Sequence, residues 1–287
     1  MQRAKNILLS RTHGFPVTLD VFYKETQSRK PVLIYAHGFN GFKDWGGMDR
    51  IAEDFAGTGF VFVKFNFSHN GTSPQQPEEF VLPETYGLNT YTKELDDLEA
   101  VIDWVTSSDN PFAQQMDVSR IGLIGHSLGG GIVLLKSAED ERVKAVTSWA
   151  SISECKTPWG SWPTEKIALW KRTGVQYVSN SRTGQELPLY YTLHEDYVQN
   201  KERLNIERAV RSLHIPLLIC HGTADTSVPV EKAEAIKNWK PDADLFLLDT
   251  DHVFGRKHPW TESEFPAATN AVVEKTIDFF SQQLPVQ

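Results

Sequence analysis

The chain has 287 residues, 29 Lys and Arg against 37 Asp and Glu, a formal net charge of −8, and 40% hydrophobic against 23% charged residues. That length and balance suit a globular α/β domain with an insertion and exclude a largely disordered chain. The acidic balance and the lack of a basic cluster exclude a nucleic-acid surface, so no nucleic-acid partner is expected.

Two cysteines, Cys155 and Cys220, lie far apart without ligand spacing and read as small core residues or free thiols. The nine histidines are scattered too, so no metal is expected. Ile7-Leu8-Leu9, closed by Arg11, is too short for a signal-peptide core, and no apolar run reaches membrane-spanning length. A cytoplasmic protein without a membrane partner is expected, of undetermined oligomeric state.

From Lys5 to Tyr23 apolar and polar residues alternate on either side of His13-Gly14-Phe15-Pro16, which predicts an antiparallel hairpin at a sheet edge. Val32 to Ala36 is a continuous apolar run, the mark of a strand covered on both faces, and ends in the loop His37-Gly38-Phe39-Asn40-Gly41. A helix is expected from Asp44 to Ala56, then a strand from Phe60 to Phe65. The polar loop Asn66 to Ser73 follows, and a Pro-rich stretch to Gly87 reads as mostly loop. Leu95, Leu98, Val101, Ile102 and Val105 recur at three- and four-residue steps, predicting an amphipathic helix over 92–105 with acidic outer positions.

Ile121 to Gly125 reads as a buried strand, Leu128 to Leu135 as a helix, and Val143 to Trp149 as another strand. Alternation then stops. Residues 151–211 are rich in Trp and Tyr and too long for a structureless loop, so they form an insertion, with a short helix at 166–172 and a hairpin near 175–189. Strand-helix alternation resumes with a strand at 215–220, a helix at 230–239, a strand at 244–248 and a last helix from about 267 to 280. The pattern predicts an α/β fold with a mostly parallel sheet and helices on both faces: residues 1–150 and 212–287 as core, 151–211 as a cap.

Chemistry concentrates at Gly125-His126-Ser127-Leu128-Gly129, a G-x-S-x-G pattern at a strand-to-helix turn. Such a turn lifts a serine hydroxyl above the sheet edge, and the flanking glycines let strand and helix cross closely. A serine needs a base to take its proton and an anion to orient that base. The order Ser, acid, His predicts Ser127, Asp225 and His252, each after a strand end. His258 and the acids Asp249 and Asp251 are weaker alternatives. His258 sits among Arg256, Lys257 and Pro259 like a solvated loop, and the two acids are too close in sequence to reach around His252. His37, His126 and His221 read as structural groups bonded to loop backbone, and His69 as a surface-loop residue.

The chain from about 32 to 280 resembles the α/β-hydrolase superfamily, and within it small esterases of the dienelactone-hydrolase and cinnamoyl (feruloyl) esterase type. The residues that carry this are His37-Gly38-Phe39, the Ser127 pentapeptide, His221-Gly222-Thr223-Ala224-Asp225 with Val228-Pro229, and Asp251-His252-Val253-Phe254. The resemblance implies an acyl-enzyme on Ser127, with Asp225 as acid, His252 as base, and the Phe39 and Leu128 backbone N–H groups as oxyanion hole. It implies no cofactor and a small-molecule ester substrate. Where relatives show an acidic residue, an arginine and G-x-G-x-S, this chain has Asn66 to Ser73 and keeps only the final Gly-x-Ser.

A cap inserted at 151–211 lies over the serine, so Trp159, Trp162, Trp170, Tyr177, Tyr190 and Tyr191, with Tyr197, are expected to line the site and favour a hydroxycinnamoyl-type acyl group. Other readings use the same scaffold. A thioesterase shares the machinery, and an aminopeptidase would need cap carboxylates such as Glu154, Glu165, Glu186, Glu195 and Asp196. A non-catalytic binding protein would lack one of the three residues.

Overall fold

The computed structural model describes residues 1–10 and 14–286. Its strands are β1 (Gln2–Leu9), β2 (Val17–Tyr23), β3 (Lys30–Ala36), β4 (Val61–Asn66), β5 (Met116–His126), β6 (Val143–Trp149), β7 (Val175–Ser179), β8 (Glu186–Tyr190), β9 (Leu217–Gly222) and β10 (Asp244–Leu248). Its helices are α1 (Met48–Gly57), α2 (Pro83–Gly87), α3 (Tyr91–Thr106), α4 (Leu128–Glu139), α5 (Thr164–Thr173), α6 (Thr192–Gln199), α7 (Ile206–Ser212), α8 (Glu231–Trp239) and α9 (Ala267–Gln283). Eight strands form one sheet in the order β1-β2-β4-β3-β5-β6-β9-β10, and β7 and β8 pair separately. β2 is antiparallel to both β1 and β4; every other pairing in the large sheet is parallel. His13 of the expected first turn lies outside the described residues.

Alternation along β3 explains the two-faced core. Val32, Ile34 and Ala36 join α3 and α4 in one apolar cluster, while Leu33 and Tyr35 join α1 and α9 in another. A strand buried on both faces has no polar side to show, hence its unbroken apolar run. The register Val32↔Ile121 to Ala36↔Gly125 brings the ends of β3 and β5 level, so the loop after Ala36 and the turn at Ser127 meet above one edge.

Several local expectations shift for identifiable reasons. The helix expected from Asp44 begins at Met48, because Gly46 (φ 62°) and Gly47 (φ 78°) adopt left-handed geometry that no helix continues. The Pro-rich stretch contains α2, whose Pro83 sits in the first turn, where a missing N–H is harmless. The outer positions of α3 are not all exposed: Glu94 and Asp97 are 4% and 1% accessible. Between β6 and β9 the chain also forms α6 and α7. Asn205 caps α7 by accepting from the Arg208 N–H at 2.9 Å. α7 packs on α4 so tightly that a Cβ on Gly131 would stand 2.9 Å from Ile206. The chain therefore rejoins the core by residue 206, before the boundary expected at 211.

A buried ionic cluster anchors the segment after β3. Lys43 Nζ lies 2.7 Å from Asp20 and 2.6 Å from Asp44, and Lys64 Nζ bridges Asp20, Asp44 and Asp49. Burial acts to raise the Asp44 pKa, but the Lys64 and Lys43 ammonium groups outweigh it and hold the carboxyl far below the usual range. Asp20, Asp44 and Asp49 are close enough to grip a metal ion, but the lysines already supply the positive charge between them. Removing one partner would strand a buried charge, so the cluster holds the β2 and β4 backbones to the 42–45 turn. Among the described residues, no helix is long and apolar enough to cross a membrane.

Candidate active site

Ser127 sits between β5 and α4 at φ 55°, ψ −118°, a conformation that costs a non-glycine residue on the order of 1–3 kcal/mol. Its surroundings hold it there. The Ser127 N–H donates to Trp149 O at 2.9 Å, and Ser127 O accepts from Gly130 N at 3.0 Å and Ile152 N at 3.3 Å. Glycines make the turn sterically possible: a Cβ on Gly125 would stand 2.2 Å from Gly129 O, and one on Gly129 would stand 2.3 Å from His37 O. Leu128 opens α4, and the first-turn N–H groups of a helix lack an intrahelical acceptor and point to the space before it.

Asp225 and His252, the acid and base expected from the sequence, come from the loops after β9 and β10. These strands run in parallel register to Leu248↔Gly222, and Thr223 N and Ala224 N continue the pairing onto Leu248 O and Thr250 O. Asp225 and His252 are thereby brought together, with His252 Nδ1 2.7 Å from Asp225 Oδ2. The other carboxylate oxygen accepts from Ser227 N at 2.8 Å and Val228 N at 2.9 Å. Burial acts to raise the Asp225 pKa, but hydrogen bonds from His221, His252 and the Val228 N–H prevail and hold the carboxyl well below its ordinary value. A carboxylate fixed in this way keeps the proton of His252 on Nδ1 and leaves Nε2 free to accept. Ser127 and His252 line one cleft of about 180 Å³, with Tyr35, His37, Phe39, Trp45 and Val253.

His37, His126 and His221 bond to backbone. His37 Nδ1 donates to Gly38 O at 2.9 Å, and its Nε2 accepts from Phe67 N at 3.4 Å; burial lowers its pKa to about 4. His126 Nε2 donates to His252 O at 2.9 Å, and His221 Nε2 to Val228 O at 2.8 Å. Two expectations need correction. His69 is 3% accessible, with Nδ1 2.8 Å from Ser68 Oγ and its ring edge-on to Phe15. His258 is not in a solvated loop: its ring packs 4.8 Å from Phe42, and its Nδ1 accepts from Gly46 N at 3.2 Å. Of the alternative acids, Asp249 is exposed, and Asp251 caps its own turn by accepting from Val253 N and Gly255 N.

The aromatic residues of the insertion do not line the cleft. Trp159 donates its N–H to Tyr91 Oη at 3.0 Å and packs edge-on to Tyr197. Trp170 is fully buried, donates to Leu189 O at 2.7 Å, and meets Trp162 and Tyr191 edge-on. Tyr190 covers Gly87 and bonds Glu84, Tyr191 stacks on His194, and Tyr177 is 56% exposed. These rings fold the insertion upon itself and onto α2 and α3, a packing use open to any aromatic cluster. Glu154, Glu165, Glu186 and Glu195 are exposed, and Asp196 is engaged by Thr92 and Asn200.

A second, smaller cavity of about 20 Å³ adjoins the cleft, sharing His37, Gly38, Phe39, Asn40 and Gly41 with it. Leu128, Tyr86, Asn89, Tyr91 and Glu94 complete much of its wall, and the insertion adds Thr157, Leu189 and Leu193. Sequence reading missed Glu94 and Asn89. The signal was present: Glu94 precedes Leu98, Val101 and Val105 by four, seven and eleven residues and so lies on the buried face of α3.

The chain resembles known proteins in sequence and in fold. Quorum-quenching protein AidA of Acinetobacter baumannii is 30% identical over 123 residues, covering 43% of this chain and 36% of AidA. An uncharacterized 31.7 kDa protein of the Escherichia coli traX-finO intergenic region is 28% identical over 50% of this chain and 44% of its own length. The chain thus spans less than half the length of these relatives. Among solved structures, Est1E from Butyrivibrio proteoclasticus superposes with a TM-score of 0.68 at 18% identity, over 98% of this chain and 99% of that one. DcsB, in complex with its substrate analogue, superposes with a TM-score of 0.72 at 17% identity, over 97% and 98%. At such identities these structures speak for the fold alone. The eight-stranded sheet has its elbow serine at the end of β5, and the family model for the alpha/beta hydrolase fold matches residues 31–174, half of the chain. The protein belongs to the alpha/beta hydrolase fold family, and an esterase domain from Rhodothermus marinus is among its structural neighbours.

Proposed function

We propose that the protein is a serine hydrolase of small carboxylic esters that works through an acyl-enzyme on Ser127. The observation that carries this reading is the 2.7 Å bond from His252 Nδ1 to Asp225 in a cleft that Ser127 also lines. Ser127 Oγ attacks the acyl carbon as its proton passes to His252 Nε2. The imidazolium is stabilised by the Asp225 carboxylate, and the oxyanion by the N–H groups of Phe39 and Leu128. His252 then protonates the departing alcohol, and a water molecule deprotonated by His252 attacks the acyl carbon and frees Ser127. No step needs a cofactor.

In this reading residues 151 to about 205 form the cap over the site, and the cap rings support it from behind. The cleft is close in volume to the ~150 Å³ that accommodates benzene in an engineered cavity, and Tyr35, Phe39 and Trp45 offer it aromatic walls. A hydroxycinnamoyl-type acyl group therefore remains the proposed preference, resting on these three side chains rather than on the insertion. The aminopeptidase alternative loses support, since none of its cap carboxylates lines the cleft. Two buried free thiols, Cys155 and Cys220, suit a reducing compartment, so the cytoplasm is the proposed location.

A fluorophosphonate probe tests the assignment without knowledge of the substrate. It is expected to form one adduct, on Ser127, and none on folded Ser127→Ala, whose ester turnover should fall by ~10⁴ or more. An unlabelled but folded wild-type protein would favour a binding protein on a hydrolase scaffold.

A further inference from the structure

The small cavity behind the 37–41 loop has a polar end that the mechanism above does not use. Most of its polar groups already have partners. The Tyr86 hydroxyl donates to Asn40 Oδ1 at 2.6 Å; the Tyr91 hydroxyl donates to Thr157 O at 2.7 Å and accepts from Trp159. Asn70 Oδ1 accepts from Thr72, and both ring nitrogens of His37 are engaged. Two buried side-chain oxygens of the lining residues have no partner among the described residues: Asn89 Oδ1 and Glu94 Oε2. They belong to one unit, since Asn89 Nδ2 donates to Glu94 Oε1 at 2.8 Å.

A pair of this kind is built to meet something. Buried polar atoms are ordinarily bonded, and two unpaired ones beside a cavity next to the reacting centre call for a polar occupant. We propose that Asn89 and Glu94 form a recognition subsite for a hydroxyl on a short arm of the ester, which donates to Asn89 Oδ1 and accepts from the Glu94 carboxylic O–H. This rests on the Ser127 reading and deepens it. Burial raises Glu94 to about 8, against the Asn89 hydrogen bond and with the charges of Asp97 and Asp196, so the carboxyl keeps its proton at neutral pH. The volume sets the size: about 20 Å³ has room for little more than one water-sized group. Phe39 and Leu128 line the cavity and are also the proposed oxyanion donors, so an arm entering it is attached next to the reacting carbonyl.

The arm belongs to the alcohol or to the acyl part, and two matched pairs separate these cases. Each replaces one methyl by hydroxyl: propyl against 2-hydroxyethyl butyrate, and ethyl 3-methylbutanoate against ethyl 3-hydroxybutanoate. In one pair the hydroxylated ester is expected to have the higher kcat/KM by about tenfold or more, since a site with paired polar groups penalises an analogue that cannot bond them. Glu94→Leu and Asn89→Ala should bring that ratio close to one, and Glu94→Gln, which keeps an N–H donor, should retain much of it. Asn89 is half-buried in the link between α2 and α3, so its variant keeps the test open if Glu94→Leu does not fold. Equal rates within both pairs, or a ratio unchanged in Asn89→Ala, would overturn the subsite. So would a preference for 2-aminoethyl butyrate, which would mark Glu94 as an ionised site for cations. Turnover with Ser127 labelled but without hydroxyl preference removes this inference alone; no turnover and no labelling removes the serine-hydrolase reading with it.

Discussion

Replacing Glu94 by Gln should change how stability depends on pH, and the structure gives both sign and size. Burial raises the Glu94 pKa from 4.5 to about 8, the Asn89 hydrogen bond opposes this, and Asp97 and Asp196 add to it. Between these values the folded chain holds a proton that the unfolded chain has released. Stability is therefore full below about 4.5 and is lost as pH rises toward 8. At about 1.4 kcal/mol per unit, the loss between pH 5 and pH 8 is about 3 kcal/mol. Gln carries no proton to lose, so Glu94→Gln should gain about that much relative to wild type over the same range. His37, lowered to about 4 by burial, contributes the opposite slope between about 4 and 6.5, but it does so in both proteins and cancels in the difference. Urea unfolding of both proteins at pH 5 and pH 8 measures that difference. A mutant-minus-wild-type free energy that is the same at both values would refute the neutral buried carboxyl and with it the donor role assigned to Glu94.

Asp225→Asn should lower kcat for a p-nitrophenyl ester by about 10⁴, because an amide facing His252 Nδ1 favours the tautomer that leaves no acceptor for the serine proton. A loss under tenfold would show that another group orients the base. His258→Ala is expected to keep kcat within about tenfold while lowering unfolding free energy by about 1–2 kcal/mol, since the ring packs on Phe42 and bonds Gly46 but does not line the cleft; activity and urea denaturation separate the two effects. Gly129→Ala should be far worse than an ordinary surface change, with Tm lowered by ten degrees or more or no folded protein, because its Cβ would stand 2.3 Å and 2.5 Å from the His37 and Ala36 carbonyl oxygens. A thermal melt close to that of wild type would contradict the close packing of α4 on the end of β3.

Much of the sheet was legible because its strands announce themselves. β3, β5, β6 and β9 are apolar runs between polar turns, and β3, β5 and β9 lead into the loops that carry Phe39, Ser127 and Asp225. What was less legible depends on contacts distant in sequence. No local pattern says that Lys43 and Lys64 are buried against Asp20 and Asp44, because each charge is tolerable only once the others are in place. Glu94 passes for one of the acidic outer positions of an amphipathic helix if only its charge is read, although its spacing from Leu98, Val101 and Val105 puts it on the buried face of α3. The Trp and Tyr residues of the insertion were visible as a cluster, but composition cannot tell rings that face a ligand from rings that face each other. Trp170 settles on the Leu189 carbonyl and the Tyr191 ring, and the aromatic wall of the cleft that Ser127 lines is built instead from Tyr35, Phe39 and Trp45, earlier in the chain.

The geometry of the site also depends on a residue that reading by motif leaves aside. Ser127 is positioned by β5 and α4, whereas Asp225 and His252 are positioned by the β9–β10 ladder, and β6 lies between the two supports. The distance from Ser127 to His252 is therefore set across both supports. His126, next to Ser127, spans that gap: its Nε2 donates to His252 O, and the two rings lie 4.8 Å apart. Burial, aided by the nearby His252 and Arg256, pushes the His126 pKa well below its ordinary value, so the ring stays neutral. A neutral strut can hold the His252 backbone without adding a charge that, in the proposed mechanism, would repel an imidazolium beside it. The histidine of the pentapeptide thus couples the strained turn at Ser127 to the hydrogen-bonded Asp225–His252 pair, which a bare G-x-S-x-G match does not express.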